Sequence, residues 1–251
     1  MTFARRVALA TIAAPLTLAL AACGGTEADD GTVAQAEAIA PIPAPAGTTW
    51  SERTVVTPES GYLMGNPDAP IKLIEYGSLT CPGCAAFSAE ASEELQAEYI
   101  NSGRVSFEFR SFMIHGAPDM VLTRLAECGS PEAVIPLADQ IWANIGTLVP
   151  AFQAAGQAGE QAMSLPPEQR FVAFADAANI YDFFAARGIS RDQARTCLAD
   201  TKAIERLANA SQQNAEKDQV GGTPTFFVNG KRIDTNSWAG LEPILQRAGA
   251  R

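Results

Sequence analysis

The chain has 251 residues and a formal net charge of −10, from 28 acidic and 18 basic side chains. The basic residues form no cluster, so the composition argues against a partner made of nucleic acid. The length suits one domain of good size, or one domain that carries a large insertion.

Residues 1–22 have the pattern of an export signal. Two arginines precede an apolar run that is short for a membrane span. The run ends in Leu20-Ala21-Ala22-Cys23, which resembles the lipobox of bacterial lipoproteins. This resemblance implies cleavage before Cys23, lipidation of its thiol, and a protein anchored by lipid in the periplasm or cell envelope. Ordinary secretory cleavage at a small-residue site is the alternative.

Residues 23–50 are rich in alanine, proline, glycine and acidic side chains. A segment of this composition buries little surface and favours an extended, flexible chain. We therefore predict a flexible tether over residues 23–50 and a folded domain over residues 51–251.

The domain begins with a short strand over residues 53–57 and a turn-rich connection over residues 62–70. A near-continuous apolar strand, Ile71 to Tyr76, comes next and leads into Cys81-Pro82-Gly83-Cys84, which opens a helical pattern. Residues 105–110 then alternate between apolar and polar, as a strand does. This order predicts a βαβ unit with two thiols at the N-terminus of its helix. Backbone N–H groups and the helix dipole favour thiolate there.

Residues 117–200 are rich in alanine and contain several helix-capping residues, which predicts four or five helices. A long helix follows from Thr201. The β pattern returns at residues 224–228, where Asn229-Gly230 predicts a hairpin turn into a last strand. A helix over residues 238–248 closes the chain.

A thioredoxin-like βαβ and ββα pair, split by a helical insertion at about residues 115–200, resembles the DsbA family of disulfide oxidoreductases. Two motifs carry the resemblance: Cys81-Pro82-Gly83-Cys84, and residues 221–230, which are similar to the family's cis-proline segment. The resemblance implies an α/β, thioredoxin-like fold with a helical-domain insertion over roughly residues 50–250.

The resemblance also implies roles within the first motif. Cys81 is expected to be the attacking thiolate, and Cys84, on the core face of its helix, the resolving cysteine. Pro82 and Gly83 are expected to tune the pair. Strongly oxidising bacterial members of the family carry histidine at the position of Gly83, so a reductive role stays open here.

Three more residues are expected beside the pair. Pro224 matches the family's cis-proline, which places the backbone of Thr223 where an extended substrate can pair with it. An ordinary trans proline at the start of an edge strand is the alternative. Related isomerases share threonine before this proline, whereas the best-known oxidases carry an apolar residue. Glu75 matches an acid that relays protons to the buried cysteine in thioredoxin-like proteins. Its alternative is a partly exposed acid at a strand end.

Two of the five cysteines, Cys128 and Cys197, remain after the lipobox and the redox pair are assigned. An even remainder in an oxidising compartment favours a structural disulfide between them. A second redox pair and two free thiols are the alternatives. A zinc site is disfavoured, because one histidine, His115, and no second CxxC motif make a poor ligand set. We expect His115 to be incidental to catalysis.

These inferences predict an envelope thiol–disulfide oxidoreductase that introduces disulfide bonds into exported proteins. Its expected partners are exported substrates with cysteine thiols and a membrane redox partner that regenerates the Cys81–Cys84 disulfide. No cofactor is implied, because the sulfur pair itself holds the electrons. A reductase or isomerase that uses the same pair is the main alternative, and a thiol-based Cu(I) chaperone is a weaker one. We expect a monomer, since the composition of residues 24–50 favours a disordered segment that could not form a dimerisation domain.

Overall fold

A six-stranded mixed sheet organises residues 33–251, the part of the chain that the computed structural model describes. Residues 1–22 and the lipidation predicted at Cys23 lie outside the described residues. The strands are β1 Thr54–Val56, β2 Tyr62–Gly65, β3 Ile71–Gly77, β4 Val105–Ser111, β5 Thr225–Val228 and β6 Lys231–Ile233. They lie in the order β1-β2-β4-β3-β5-β6, and β3 with β4 is the parallel pair.

The helix α1, Pro82–Glu94, connects β3 to β4 and continues as a π-helical segment, Leu95–Ile100. Between β4 and the long helix α9, Thr201–Lys217, the described chain forms seven helices. They are α2 Ala117–Ala126, α3 Pro131–Ala143, α4 Ile145–Ala154, α5 Gly156–Met163, α6 Pro167–Ala177, α7 Tyr181–Ala185 and α8 Arg191–Ala199. The final helix is α10, Trp238–Arg247. Within residues 33–251, none of the helices is both long enough and apolar enough to cross a bilayer.

Strand β3 is central because it pairs with β4 on one side and with β5 on the other. Leu73 lies opposite Phe107 of β4 and Val228 of β5, and it is fully buried. On the other face of β3, the Tyr76 hydroxyl donates to Asp218 at the end of α9 at 2.6 Å. Covered faces explain the near-continuous apolar sequence of β3.

The structure confirms the α/β thioredoxin-like fold with its helical insertion, and it changes two details of the prediction. The predicted connection over residues 62–70 contains β2, and the insertion has seven helices within the described chain rather than four or five. Left-handed residues end helices that a continuous alanine-rich pattern does not separate. They are Gly156, at the start of α5, and Asn179, before α7.

Residues 36–50 are held against the domain, in contrast to the flexible tether predicted over residues 23–50. The Ala36 N–H donates to the Arg247 carbonyl at 2.8 Å, and the Ile42 N–H donates to the Ser102 carbonyl at 2.8 Å. The Trp50 indole is 8% exposed and donates to the Ile42 carbonyl at 2.8 Å. Ile39 and Ile42 pack against the core, and their N–H groups donate to the carbonyls of Gly249 and Ser102, so this strap is held in place.

Candidate active site

The two cysteines lie where β3 leads into α1. Cys81 is the N-cap residue of α1 with extended backbone angles, and Pro82 takes the first helical position, where its fixed φ and missing N–H cost nothing. Cys81 is 6% exposed and Cys84 is fully buried, and both are free thiols. The helix start therefore presents one sulfur near the surface and keeps the second beneath it.

The environment of Cys81 favours its thiolate. The side chain of Cys84 donates a hydrogen bond to the Cys81 sulfur, and this contact is the main cause that lowers the pKa of Cys81 to about 5, against the opposing effect of burial. The Thr223 hydroxyl and the backbone N–H groups of Gly83 and Cys84 act in the same direction. That hydroxyl has no hydrogen-bond partner among residues 33–251 while Cys81 is a thiol. It is available to the anion when the proton leaves.

Cys84 has the opposite character. Its hydrogen bond to Cys81, its burial and the nearby Glu75 carboxyl all raise the pKa of Cys84 above that of an ordinary thiol. The pair is thus asymmetric, with a surface-facing sulfur that ionises readily and a covered sulfur that holds its proton. This asymmetry fits the predicted division into an attacking and a resolving cysteine.

The second predicted motif faces the first. The Thr223–Pro224 peptide bond is cis, as predicted, and the Cys81 thiol donates to the Thr223 carbonyl at 3.3 Å. Gly83 lies against the proline: a Cβ atom at residue 83 would be 3.1 Å from Pro224 Cδ and 3.6 Å from Cys81 Sγ. A larger side chain at residue 83 would therefore stand beside the reactive sulfur.

Glu75 lies under the pair, on the face of β3 that α1 covers. It is 1% exposed, so the alternative of a partly exposed acid at a strand end is wrong. Burial is the main cause that raises the pKa of Glu75 well above its usual range, and the nearby Asp139 and Cys81 add to it, whereas a hydrogen bond with Cys84 opposes it. A neutral carboxyl in contact with the covered thiol is placed to exchange a proton with it.

Sequence reasoning missed Asp119, which fixes the loop before Cys81. This fully buried carboxylate in α2 accepts hydrogen bonds from the Ser78 hydroxyl at 2.8 Å and from the Thr80 hydroxyl at 2.9 Å. It also accepts from the backbone N–H groups of Thr80 and His115, at 3.1 and 2.9 Å. The sequence signal was weak, because an acid in the first turn of a helix is usual without any such role.

His115 lies beside the loop that precedes the pair. Its Nδ1 is 2.7 Å from the Thr80 hydroxyl, one residue before Cys81. A cleft of about 380 Å³ opens beside the motif, and its wall includes His115, Pro82 and Phe152. The cleft lies on the side of Cys81 that faces the helical insertion.

Cys128 and Cys197 form the predicted disulfide, with their Cα atoms 6.0 Å apart. The bond links the chain just after α2 to α8, across a sequence separation of 69 residues, and lies within the insertion. Neither alternative, a second redox pair or two free thiols, is what the structure has. Within residues 33–251, no group of three or more histidine, cysteine or acidic side chains is arranged to hold a metal ion.

Comparison with known proteins identifies relatives of this chain. A profile of the family described as Thioredoxin matches residues 57–247. A provisionally named protein-disulfide oxidoreductase of Rickettsia bellii is 25% identical over 191 residues, which cover 76% of this chain and 65% of that protein. The chain thus spans slightly less than two thirds of that relative's length.

Two crystal structures are similar along most of their length. A protein-disulfide isomerase from Novosphingobium aromaticivorans is 29% identical with a TM-score of 0.68, covering 74% of this chain and 96% of that one. The alpha-DsbA1 of Wolbachia pipientis, 19% identical, has the same fold with a TM-score of 0.61, covering 80% of this chain and 96% of that one. With the CxxC pair, the facing cis-proline and the helical insertion, these matches show that the chain belongs to the DsbA family of thioredoxin-fold thiol–disulfide oxidoreductases.

Proposed function

We propose that this protein introduces disulfide bonds into exported proteins through its Cys81–Cys84 pair. The observation that carries the proposal is the stabilised thiolate of Cys81, whose pKa is lowered to about 5 beside a thiol that keeps its proton. A stable thiolate is a good leaving group, and it lowers the free energy of the reduced protein. The disulfide form is therefore a stronger oxidant.

The proposed cycle begins with the oxidised pair. A substrate thiolate attacks Cys81 Sγ, the bond between Cys81 and Cys84 breaks, and Cys84 leaves and takes up a proton. A second substrate thiolate then attacks the mixed disulfide at the substrate's own sulfur, and Cys81 leaves as the thiolate. The substrate loses two electrons, the protein gains them, and a membrane redox partner must remove them. An extended substrate would pair with the Thr223 backbone beside Pro224.

The opposite direction of electron flow is the second candidate. Gly83 stands where strong oxidants have histidine, and Thr223 is the residue that related isomerases share. The Novosphingobium structure, at 29% identity, is described as a protein-disulfide isomerase. These observations favour a reductase or isomerase that works from the reduced pair.

We propose the cell envelope as the location, with lipid at Cys23 as the anchor and a monomer as the working form. The signal pattern of residues 1–22 supports export. The Cys128–Cys197 disulfide supports an oxidising compartment, where such bonds persist. The wild type should be found in the membrane fraction, and Cys23→Ser should be released from it. A wild type found in the soluble fraction would instead indicate ordinary secretory cleavage and would contradict the lipid anchor.

The reduction potential tests the direction of electron flow. The protein is equilibrated with glutathione buffers, the oxidised fraction is quantified, and insulin reduction is measured in parallel. We expect a potential well above that of thioredoxin, about −270 mV, together with slow insulin reduction. A potential near the thioredoxin value would overturn the oxidase proposal in favour of the reductase. Cysteine-dependent Cu(I) binding without any thiol exchange, lost in Cys81→Ser, would overturn both.

A further inference from the structure

Asp139 connects the helical insertion to the active-site helix. It lies on α3, and its carboxylate accepts hydrogen bonds from the Ser88 hydroxyl at 2.7 Å and the Ser92 hydroxyl at 2.8 Å, on successive turns of α1. Asp139 is partly exposed, whereas Glu75 is 1% exposed. One acid therefore lies at the protein surface and the other beneath the cysteines.

A small cavity joins these two acids. Glu75 and Asp139 both line it, with Ser88, Ser92 and Trp142 among its other walls, and its volume of about 20 Å³ has room for one water molecule. Glu75 Oε1 is buried and has no hydrogen-bond partner within residues 33–251. A buried carboxyl oxygen without a protein partner, beside a polar cavity of this size, is well served by a bridging water.

The disulfide cycle requires a proton to move between the buried Cys84 and solvent. Cys84 gains a proton when the pair is reduced and must lose it when the pair is oxidised, yet Cys84 is fully buried. Glu75 is in contact with Cys84 but is itself covered. A proton that moves between Cys84 and solvent therefore needs a second carrier beyond Glu75.

We propose that Asp139 exchanges protons with Glu75 across the cavity and thereby links Cys84 to solvent. During reoxidation, neutral Glu75 first passes its proton to ionised Asp139, which releases one to solvent. The Glu75 carboxylate then takes the proton of the Cys84 thiol, whose sulfur attacks Cys81 Sγ of the mixed disulfide, and the oxidant's sulfur leaves as a thiolate. Reduction runs the same transfers in reverse, so each proton is accounted for. The proposal rests on the thiol–disulfide exchange proposed above.

The charges around the cavity support this transfer. Burial raises the pKa of Asp139, although its hydrogen bonds from Ser88 and Ser92 oppose the shift. Burial and the Asp139 charge raise that of Glu75 as well. The other titratable groups that act on Glu75 are Cys81 and Cys84. Two acids whose pKa values move toward neutral pH exchange protons more readily than ordinary carboxylates do.

The test separates the two steps of oxidation in single-turnover experiments with the reduced protein and oxidised glutathione. Acid quenching and mass spectrometry measure the formation of the Cys81–glutathione mixed disulfide and its resolution by Cys84. In Asp139→Asn we expect the first step to keep its wild-type rate and the second to slow by about tenfold. Glu75→Gln should slow the second step at least as much, and Glu75→Gln with Asp139→Asn should be no slower than Glu75→Gln alone.

Matched variants keep the result specific. Asp182→Asn, which makes the same change at an exposed acid of the insertion, should leave both rates unchanged. Asp139→Glu, which restores an ionisable acid, should recover most of the resolution rate, which a merely structural role for Asp139 would not require. Resolution at the wild-type rate in Asp139→Asn, or equal slowing of both steps, would overturn the proposal. Failure of the wild type to react with glutathione would instead contradict the proposed function.

Discussion

At the scale of single residues, Cys81 and Cys84 are neighbours whose environments shift their pKa values in opposite directions. One hydrogen bond, from the Cys84 thiol to the Cys81 sulfur, contributes to both shifts. It stabilises the anion at Cys81 and holds the proton at Cys84. The order of chemical events at the pair is therefore set by a contact within one helical turn.

This contact can be tested by alkylation of the reduced protein with iodoacetamide. In the wild type, the rate at Cys81 should rise with pH around a midpoint of about 5, while Cys84 stays unmodified. Cys84→Ala removes the main donor and should move the midpoint upward by about one unit or more. Cys84→Ser keeps an O–H donor and serves as the control, with a midpoint nearer to the wild type. Equal midpoints in all three proteins would contradict the assignment of the donor.

Gly83 gives a second test, because a side chain there stands beside Cys81 Sγ. Gly83→His places an imidazolium near the thiolate, which should stabilise the reduced form and raise the reduction potential by about 30 mV, a tenfold change in the equilibrium constant. Gly83→Ala introduces the same close Cβ contact with Pro224 Cδ, at 3.1 Å, without the charge. A similar potential in both variants would show that the contact, and not the charge, controls the potential.

The sequence predicts the residues of the site that belong to local motifs and misses those brought in by the fold. Cys81, Cys84 and Pro224 are recognisable because their motif neighbours are adjacent in the chain. Asp119 and Asp139 reach the loop before Cys81 and the helix after it from the insertion, across about 40 to 50 residues of sequence. Such contacts depend on how α2 and α3 pack on the sheet, which hydrophobic periodicity does not specify.

At the scale of elements, the insertion is a set of short helices that pack together and are cross-linked by the Cys128–Cys197 disulfide. The sequence pattern predicted the helical region but too few helices, since left-handed residues such as Asn179 interrupt it without changing its composition. Short helices gain little stability from their own hydrogen bonds and depend on tertiary packing. The Cys128–Cys197 bond, between the end of α2 and α8, therefore contributes where intrinsic helix stability is low.

Replacing both of these cysteines by alanine should lower the free energy of unfolding by about 2–4 kcal/mol, because the unfolded chain is then free of a long closed loop. Urea denaturation of the wild type and of Cys128→Ala with Cys197→Ala measures the difference. The alkylation midpoint of Cys81 should stay unchanged, which separates loss of stability from damage to the site. An unchanged urea midpoint would show that the insertion does not depend on this bond.

At the scale of the whole molecule, the N-terminal strap of residues 36–50 joins the folded domain instead of holding it at a distance. One of its hydrogen bonds reaches the loop after the π-helical segment. Others reach the end of α10, so the strap connects the N-terminal part of the described chain to its C-terminal helix. Composition alone could not predict these contacts, because a segment rich in proline and alanine can either pack against a domain or remain a flexible linker. Residues 36–50 therefore do not behave as the flexible tether predicted for them.

The redox state of the pair should also change the stability of the whole molecule. The unfolded thiol has a pKa of about 8.5 and folded Cys81 one of about 5, so the reduced fold gains stability that is fully present above the unfolded value. That gain is lost as pH falls through about 5. The oxidised form has no ionisable thiol at the pair, and its closed loop is too short to constrain the unfolded chain much.

Thermal unfolding of the two redox forms between pH 5 and pH 7.5 should reveal this linkage. Within this window Cys84 stays protonated in the folded chain and almost fully protonated in the unfolded chain, so the difference reports mainly on Cys81. At pH 7.5 the reduced form should melt a few °C higher than the oxidised form, and the gap should close toward pH 5. Cys81→Ser, reduced and compared at the same pH values, should lack this dependence. An oxidised form that melts higher at pH 7.5 would mean that the fold favours the disulfide, and electron flow would then run toward substrate reduction.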